Sequence, residues 1–298
     1  MIDRIVLGSR GSALALRQTE IVAASLRAHH PHLEIAMLTV ETEGDRIQDR
    51  PISQFGDKGV FVRTVESALL EGRIDLAVHS LKDVPADVSV PGLALAAFSA
   101  REDPRDCLIA REGRSLQDLP AGARIGTSSL RRRVQLQALR PDLVLAPIRG
   151  NVDTRLRKLR DGEHDAIILA AAGLHRLGLH DVITEYLPVD RFTPDAGQGI
   201  IAVQARDRDT IGELAAAVDD SRSRVAAVAE RAVVRALGAD CRSPVGAYAE
   251  IEGERMVMHG MAADEDGERL RRAQVHGSVT EAEDLGSALG ARLKLYPY

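Results

Sequence analysis

Residues 193–205 read TPDAGQGIIAVQA, a Pro/Gly-rich loop that runs into an apolar strand. Two series of alternating strand and helix patterns precede it, so a strand here is placed to carry the chain back into the first series. That first series comprises RIVLGS (4–9), a helix from about Ser12, EIAMLTV (34–40), a helix from about Asp57, DLAVHS (75–80) and LALAAF (93–98). The helical segments have the right period: Leu14, Ile21, Val22 and Leu26 share one face, as do Phe61, Val65 and Leu69. The second series starts near Arg105 with DCLIA (106–110), ARIGTSS (123–129), a helix through Ala138, LVLAPI (143–148), a helix from about Val152 and DAIILAA (165–171). The expectation is two α/β lobes with a hinge at the return.

After about residue 220 the pattern changes to a long helix, RVAAVAERAVVRAL, strands YAEI, MVMHGMA and RRAQVHG, and a final helix, which together read as a small α+β domain. The chain is therefore divided into a first lobe (1–98 plus 199–217), an arginine-rich second lobe (103–193) and a third domain (222–298).

Composition narrows the function. The 298 residues are 45% hydrophobic and 28% charged, as in a soluble globular protein. No apolar run approaches the roughly 18 residues that cross a bilayer. The opening MIDRIVLGSRGSALAL lacks the features of a secretory leader. Cys107 and Cys241 lie far apart with no neighbouring Cys, which suggests neither a disulfide framework nor a zinc module, so a reducing cytoplasm fits. The tract AHHPH lacks a Cys or carboxylate at ligand spacing, and no metal is expected. Nothing demands an oligomer, so a monomer is expected.

The net charge of −5 conceals where the charges sit. Between Arg124 and Arg160 nine Arg and one Lys face only Asp142 and Asp153. In IGTSSLRRRVQLQAL, a strand leads through Thr127, Ser128 and Ser129 into a helix whose first turn carries Arg131, Arg132 and Arg133. Cations there oppose the helix dipole. Their placement makes sense if an anion docks on the free N–H groups and hydroxyls while guanidinium forks close over it; the alternative is a solvated basic face. APIRGNVDTRLRKL repeats the design with Arg149 and Arg155, whereas Arg157, Lys158 and Arg160 read equally well as exposed helix charges. Arg10 in GSRGS adds a third site from the first lobe, and a cleft between lobes would gather all three. Aromatic residues make up 3% of the chain and Trp is absent, which poorly supplies a nucleic-acid stacking platform. There is no Walker pattern or dinucleotide fingerprint either. A ligand with several carboxylates is the better reading.

HSLKDVP (79–85) places Lys82 and Asp83 where a buried strand breaks into a loop. They form either a structural ion pair or a reaction centre, with Asp83 as acid/base or stabiliser of a cation and Lys82 on an anionic ligand. His79 reads as a satisfied core histidine. GADCRSPVGAYAE sets Cys241 in a loop beside Arg242, either as a reactive thiol or as an ordinary buried cysteine. Cys107, in an apolar strand, reads as structural.

Taken together, GSRGSALALRQ, TEGD, GDKGVFV, DLAVHSLKDVP, REDPRDC, GTSSLRRR, RGNVDTRL, AGLHRLGL, PDAGQG and ERAVVRALGADCRSPVGAY resemble, in order and spacing, the porphobilinogen deaminase (hydroxymethylbilane synthase) family over nearly the whole chain. The resemblance implies two lobes like those of type II solute-binding proteins plus a third, smaller α+β domain. It implies a transferase of tetrapyrrole and heme biosynthesis that deaminates porphobilinogen and joins four molecules head to tail on a covalent dipyrromethane cofactor. Water then releases the linear product. It assigns the cofactor's thioether to Cys241 and the essential carboxylate to Asp83, where positive charge on pyrrole nitrogens is stabilised as an azafulvene forms and is attacked. It implies that Lys82, Asp83, Thr127, Ser128, Ser129, Arg131 and Arg132 hold the cofactor, while Arg10, Ser12, Phe61, Arg149, Arg155, Arg176 and Gln198 meet the substrate. Phe61 reads equally well as core packing. Gln54 and Asp153 depart from residue types common in the family, and the end at KLYPY is short for it. The competing reading is a two-lobed polycarboxylate-binding protein, which leaves Asp83 and Cys241 without a purpose. No partner beyond the small-molecule substrate and water is expected, with neither nucleic acid nor membrane involved.

Overall fold

The computed structural model describes residues 2–40, 59–86, 90–207, 209–239, 243–264, 267 and 269–294. Cys241, Gln54 and the side chain of Phe61 lie outside what is described. In chain order the elements are β1 (Arg4–Ser9), α1 (Ala13–His29), β2 (Glu34–Thr39), α2 (Gly59–Leu70), β3 (Leu76–Ser80), β4 (Leu93–Phe98) and β5 (Asp106–Ala110). There follow β6 (Arg124–Gly126), α3 (Leu130–Leu139), β7 (Val144–Ala146), α4 (Val152–Arg160), β8 (Ala166–Ala170), α5 (Ala171–Arg176), β9 (Glu185–Tyr186) and β10 (Ile201–Arg206). The chain closes with α6 (Thr210–Leu214), α7 (Ser221–Leu237), β11 (Val245–Glu252), β12 (Arg255–Ala262), β13 (Arg271–Ser278) and α8 (Ala282–Leu293).

Contacts divide the chain into two units, Met1–Glu102 with Ile200–Arg224, and Asp103–Gly199 with Val225–Tyr298. In the first unit the sheet order is β2-β1-β3-β10-β4. β2, β1 and β3 are parallel, whereas β10 runs antiparallel to both β3 and β4. The chain thus returns after its second series of elements and fills the gap between β3 and β4, as residues 193–205 foretold. Burial on both faces explains the near-continuous apolar run IIAVQA, all of it buried. α1 begins because Ser12 is an extended N-cap whose Oγ accepts the Ala15 N–H, and Arg27 and His29 suit its C-terminal end. It packs Val22, Ala23 and Leu26 on Ile5, Leu7, Leu76 and Val78. Leu14 and Ile21 are half-buried at the margin of that face. The opposite sheet face packs Ala77 against Val65, Ala68 and Leu69 of α2.

The second unit contains two sheets. Its five-stranded sheet has the order β7-β6-β8-β5-β9, with β6 parallel to β7 and β8, and β5 antiparallel to β8. The two five-stranded sheets thus share one order, each with a strand in fourth place that runs antiparallel to the third. The other sheet is the meander β11-β12-β13, covered by α7 and α8 around Met256, Met258, Val275, Leu289 and Leu293. Glu230 of α7 is fully buried, and its carboxylate accepts the Gly197 N–H at 2.6 Å and the Ala249 N–H at 2.8 Å. It ties the PDAGQG loop to the meander. The two-residue strand β9 is too short for sequence periodicity to reveal.

Candidate active site

In the first unit the parallel strands β1 and β3 both end at one edge of the sheet, the edge where open α/β sheets bind ligands. β1 runs into Arg10 and Ser12, and β3 runs into a 3₁₀ turn, Leu81–Asp83. That turn is closed by the Val84 N–H on the Leu81 carbonyl and anchored by the Leu81 N–H on the Ile200 carbonyl, at 3.0 Å each. Lys82 and Asp83 are held half-buried, as are Arg10 and Ser12. Gln18 of α1 donates from Nε2 to Ser80 Oγ at 2.9 Å, which fixes the last residue of β3. His79 is buried, as expected, with its Nε2 3.1 Å from Gln204 Oε1. Burial pushes its pKa down to about 4, against smaller raising effects of the Gln204 hydrogen bond and the Asp83 carboxylate.

In the second unit three parallel strands feed the arginines. β6 leads through Thr127, Ser128 and Ser129 to Arg131 and Arg132, β7 leads to Arg149 and Arg155, and β8 leads to Arg176. All three groups therefore leave the carboxyl edge of one sheet. Because β5 is antiparallel to β8, its first residue, Asp106, sits beside Ala170 at that same edge. Asp106 is fully buried and gathers the site. Arg131 Nη1 reaches its Oδ2 at 2.8 Å, Arg132 Nε and Nη2 reach its Oδ1 at 3.1 and 2.7 Å, and Gln198 Nε2 donates to Oδ1 at 3.1 Å. Arg131 also donates to the Thr193 carbonyl at 2.6 Å, and Arg132 to the Ile168 carbonyl at 3.0 Å. Burial lowers the Arg131 pKa, but the Asp106 and Asp195 carboxylates more than offset it and leave it above the ordinary value.

The expected fork over a ligand is thus partly turned inward onto a carboxylate that sequence reading did not single out. The hydroxyls are likewise engaged. Ser128 Oγ donates to the Ile148 carbonyl at 2.8 Å and accepts the Ile148 N–H at 3.1 Å, so it staples two loops. Thr127 Oγ1 accepts the Ser129 N–H, and Ser129 caps α3 by accepting the Arg132 N–H. Of the three read as exposed helix charges, Arg157 and Arg160 are exposed and Lys158 is half-buried, and Arg133 in the first turn of α3 is exposed too.

Arg155 Nε donates to the Gly150 carbonyl at 2.8 Å. Burial pushes the Arg155 pKa down to about 10, and the nearby Arg132 and Arg149 charges push the same way. Gly150 makes the bend possible, with φ at +103° and an added Cβ only 2.5 Å from Thr154 Cγ2. Arg176 Nη2 donates to the Gly199 carbonyl at 2.6 Å. Arg131, Arg132, Arg149 and Arg155 outnumber the Asp106 and Asp195 carboxylates set against them, and a site that keeps such an excess is chemically suited to a polyanion. Arg131 Nε is buried with no hydrogen-bond partner among the described residues, a further donor unused by the protein itself. These features fit a cofactor bearing several carboxylates.

Cys107 is fully buried, and burial pushes its thiol up to about 12, so it is not a nucleophile at neutral pH. Among the described residues no helix is long and apolar enough to cross a membrane.

Two family models match the chain. "Porphobilinogen deaminase, dipyromethane cofactor binding domain" covers residues 5–213, and "Porphobilinogen deaminase, C-terminal domain" covers 225–295. The porphobilinogen deaminase of Roseiflexus castenholzii is 51% identical over 294 residues, covering 98% of this chain and 96% of its own. That of Sorangium cellulosum is 49% identical over 303 residues, covering 99% of each chain.

Proposed function

The chain belongs to the porphobilinogen deaminase family, and we propose that it performs the hydroxymethylbilane synthase reaction. It deaminates porphobilinogen and condenses four molecules head to tail on a dipyrromethane primer, then releases the linear tetrapyrrole to water. The structural observation that carries this reading is the excess of buried guanidinium at the carboxyl edge of β6, β7 and β8, since each pyrrole brings an acetate and a propionate. The dipyrromethane supplies the free pyrrole α-position from which the chain grows. Attachment by a thioether to Cys241 is part of the proposal and rests on the motif GADCRSPVG.

Arg131 and Arg132, with Lys82, Thr127, Ser128 and Ser129, would hold the cofactor's carboxylates. Arg10, Ser12, Arg149, Arg155 and Arg176 would receive the incoming substrate's acids, with Phe61 against a pyrrole face and Gln198 holding Asp106. In this arrangement Asp106 orients Arg131 and Arg132 and fixes their outward donors. Asp83 serves as a fixed carboxylate, stabilising positive charge on pyrrole nitrogens and passing a proton as ammonia leaves and the new bond forms. A three-domain division, with each sheet on its own core, and a cytoplasmic monomer acting on a small water-soluble acid complete the reading.

The test is the intact mass of the denatured protein before and after incubation with porphobilinogen, beside Cys241→Ser. The expected result is a wild-type increment of two linked pyrroles, a ladder of further units on incubation, and neither in the variant. A folded wild type that stays at its sequence mass in both states would replace the proposal with non-covalent polycarboxylate binding.

A further inference from the structure

Beneath Asp83 lies a line of buried polar side chains that the chemistry above leaves without a task. His79 and Gln204 meet because β3 and β10 are antiparallel with His79 opposite Ala202, so Gln204 is the diagonal neighbour on the same face. On that face α2 supplies Glu66, whose Oε1 accepts from Gln204 Nε2 at 2.9 Å. All three residues are nearly inaccessible, at 5–7% exposure. The donor pattern then follows from chemistry. A carboxylate only accepts, so the Gln204 amide must turn its NH₂ toward Glu66 and its oxygen toward His79. His79 Nε2 must therefore carry a proton, and in a buried neutral ring Nδ1 is left as an acceptor.

We propose that the line Glu66–Gln204–His79 is a positioning device for Asp83, holding His79 as the neutral Nε2–H tautomer on the strand that enters the Asp83 turn. It rests on the reading of Asp83 as the carboxylate that stabilises the pyrrole cation. The charged groups that bear on His79 are Asp83 from the turn and, through the uncharged amide that Gln204 of β10 supplies, Glu66 from α2. An imidazolium at this place would neutralise Asp83 and compete with the substrate for its charge. Placing the line's carboxylate one residue away from His79, with an amide between, withholds the partner that an imidazolium needs. Burial of the ring acts in the same direction.

The experiment is ¹⁵N NMR of the histidine rings in the cofactor-loaded enzyme, with kcat and KM measured across pH 5–8. Wild-type His79 should show a protonated Nε2 and an unprotonated Nδ1 throughout. A ring doubly protonated at neutral pH, or protonated on Nδ1, overturns the proposal without need of any variant. The exchange Glu66→Gln with Gln204→Glu keeps one carboxylate in the line but moves it beside His79. It should raise the His79 titration toward neutrality and lower kcat about tenfold on the acid side, with KM little changed. Adding His79→Gln to the exchange removes the titrating ring and should abolish the acid-side fall, whatever it does to kcat at neutral pH. If the exchange charges His79 and the kcat profile does not move, the proposal fails. The reading of Asp83 fails separately, if Asp83→Asn retains normal turnover.

Discussion

The Asp83 turn follows the third strand of one sheet and Asp106 opens the fourth strand of a sheet of like order, each at the edge where the parallel strands end, and the two solve opposite electrostatic problems. In the first unit β3 leads into a half-buried carboxylate, and buried His79 on that strand meets an amide, with the carboxylate of Glu66 one residue further away. In the second unit a fully buried carboxylate is outnumbered by the guanidiniums that reach it. One fold therefore presents a negative charge at one strand end and an excess of positive charge at another. The difference lies in what surrounds each carboxylate. In the proposed reaction Asp83 would face a cation that forms only in the course of turnover, whereas Asp106 already spends its charge on aligning Arg131 and Arg132.

The comparison breaks first if Asp83 is dispensable. Asp83→Ala is expected to bind porphobilinogen yet lose roughly 10²–10³-fold or more in turnover, the scale for a group that stabilises transition-state charge. Single-turnover kinetics with a separate binding measurement would check it, and a change confined to KM would place Asp83 among the binding groups. Next in size is Asp106→Ala, which strands two buried guanidiniums and should cost about 3–5 kcal/mol in urea unfolding. A loss below about 1 kcal/mol would mean that Arg131 and Arg132 do not depend on it. The smallest effect sharpens the contrast. Arg155→Leu relieves repulsion from Arg132 and Arg149, so stability should hold or rise by about 1 kcal/mol while KM for porphobilinogen rises. A variant that loses stability and leaves KM unchanged would make Arg155 a structural residue.

Much of this was legible in the sequence. β1, β4 and β5 fall on the residues read as RIVLGS, LALAAF and DCLIA; β5 is buried throughout and leaves a continuous apolar run, while β4, at the sheet edge, is only half-buried over most of its length. The Gly, Ser and Arg residues that follow the strands marked the carboxyl edge of each sheet directly. Asp106 was not legible as the organiser of the arginines, since its role arises from the antiparallel register that sets it beside Ala170. Gln204 was hidden for the same reason: within IIAVQA it looks like one polar residue in a strand, and its meaning depends on pairing with residues 125 positions away. The inward turn of Arg131 and Arg132 could not be read without that partner. Local pattern reveals elements and loops; contacts made across a sheet require the register.

The position of β10 also dictates an order of assembly. Among the described residues β4 pairs with β10 alone, and β10 is the link between β4 and β3. As the chain leaves the ribosome, its first hundred residues therefore carry a sheet without its fourth strand, leaving the β3 and β4 edges to be joined by a segment beyond residue 200. All five strands of the arginine-bearing sheet, Asp106 through Tyr186, are synthesised before that segment appears. The part made first must wait for the part made second, and a nascent chain stalled between the two would offer its unpaired strands to chaperones or to other nascent chains.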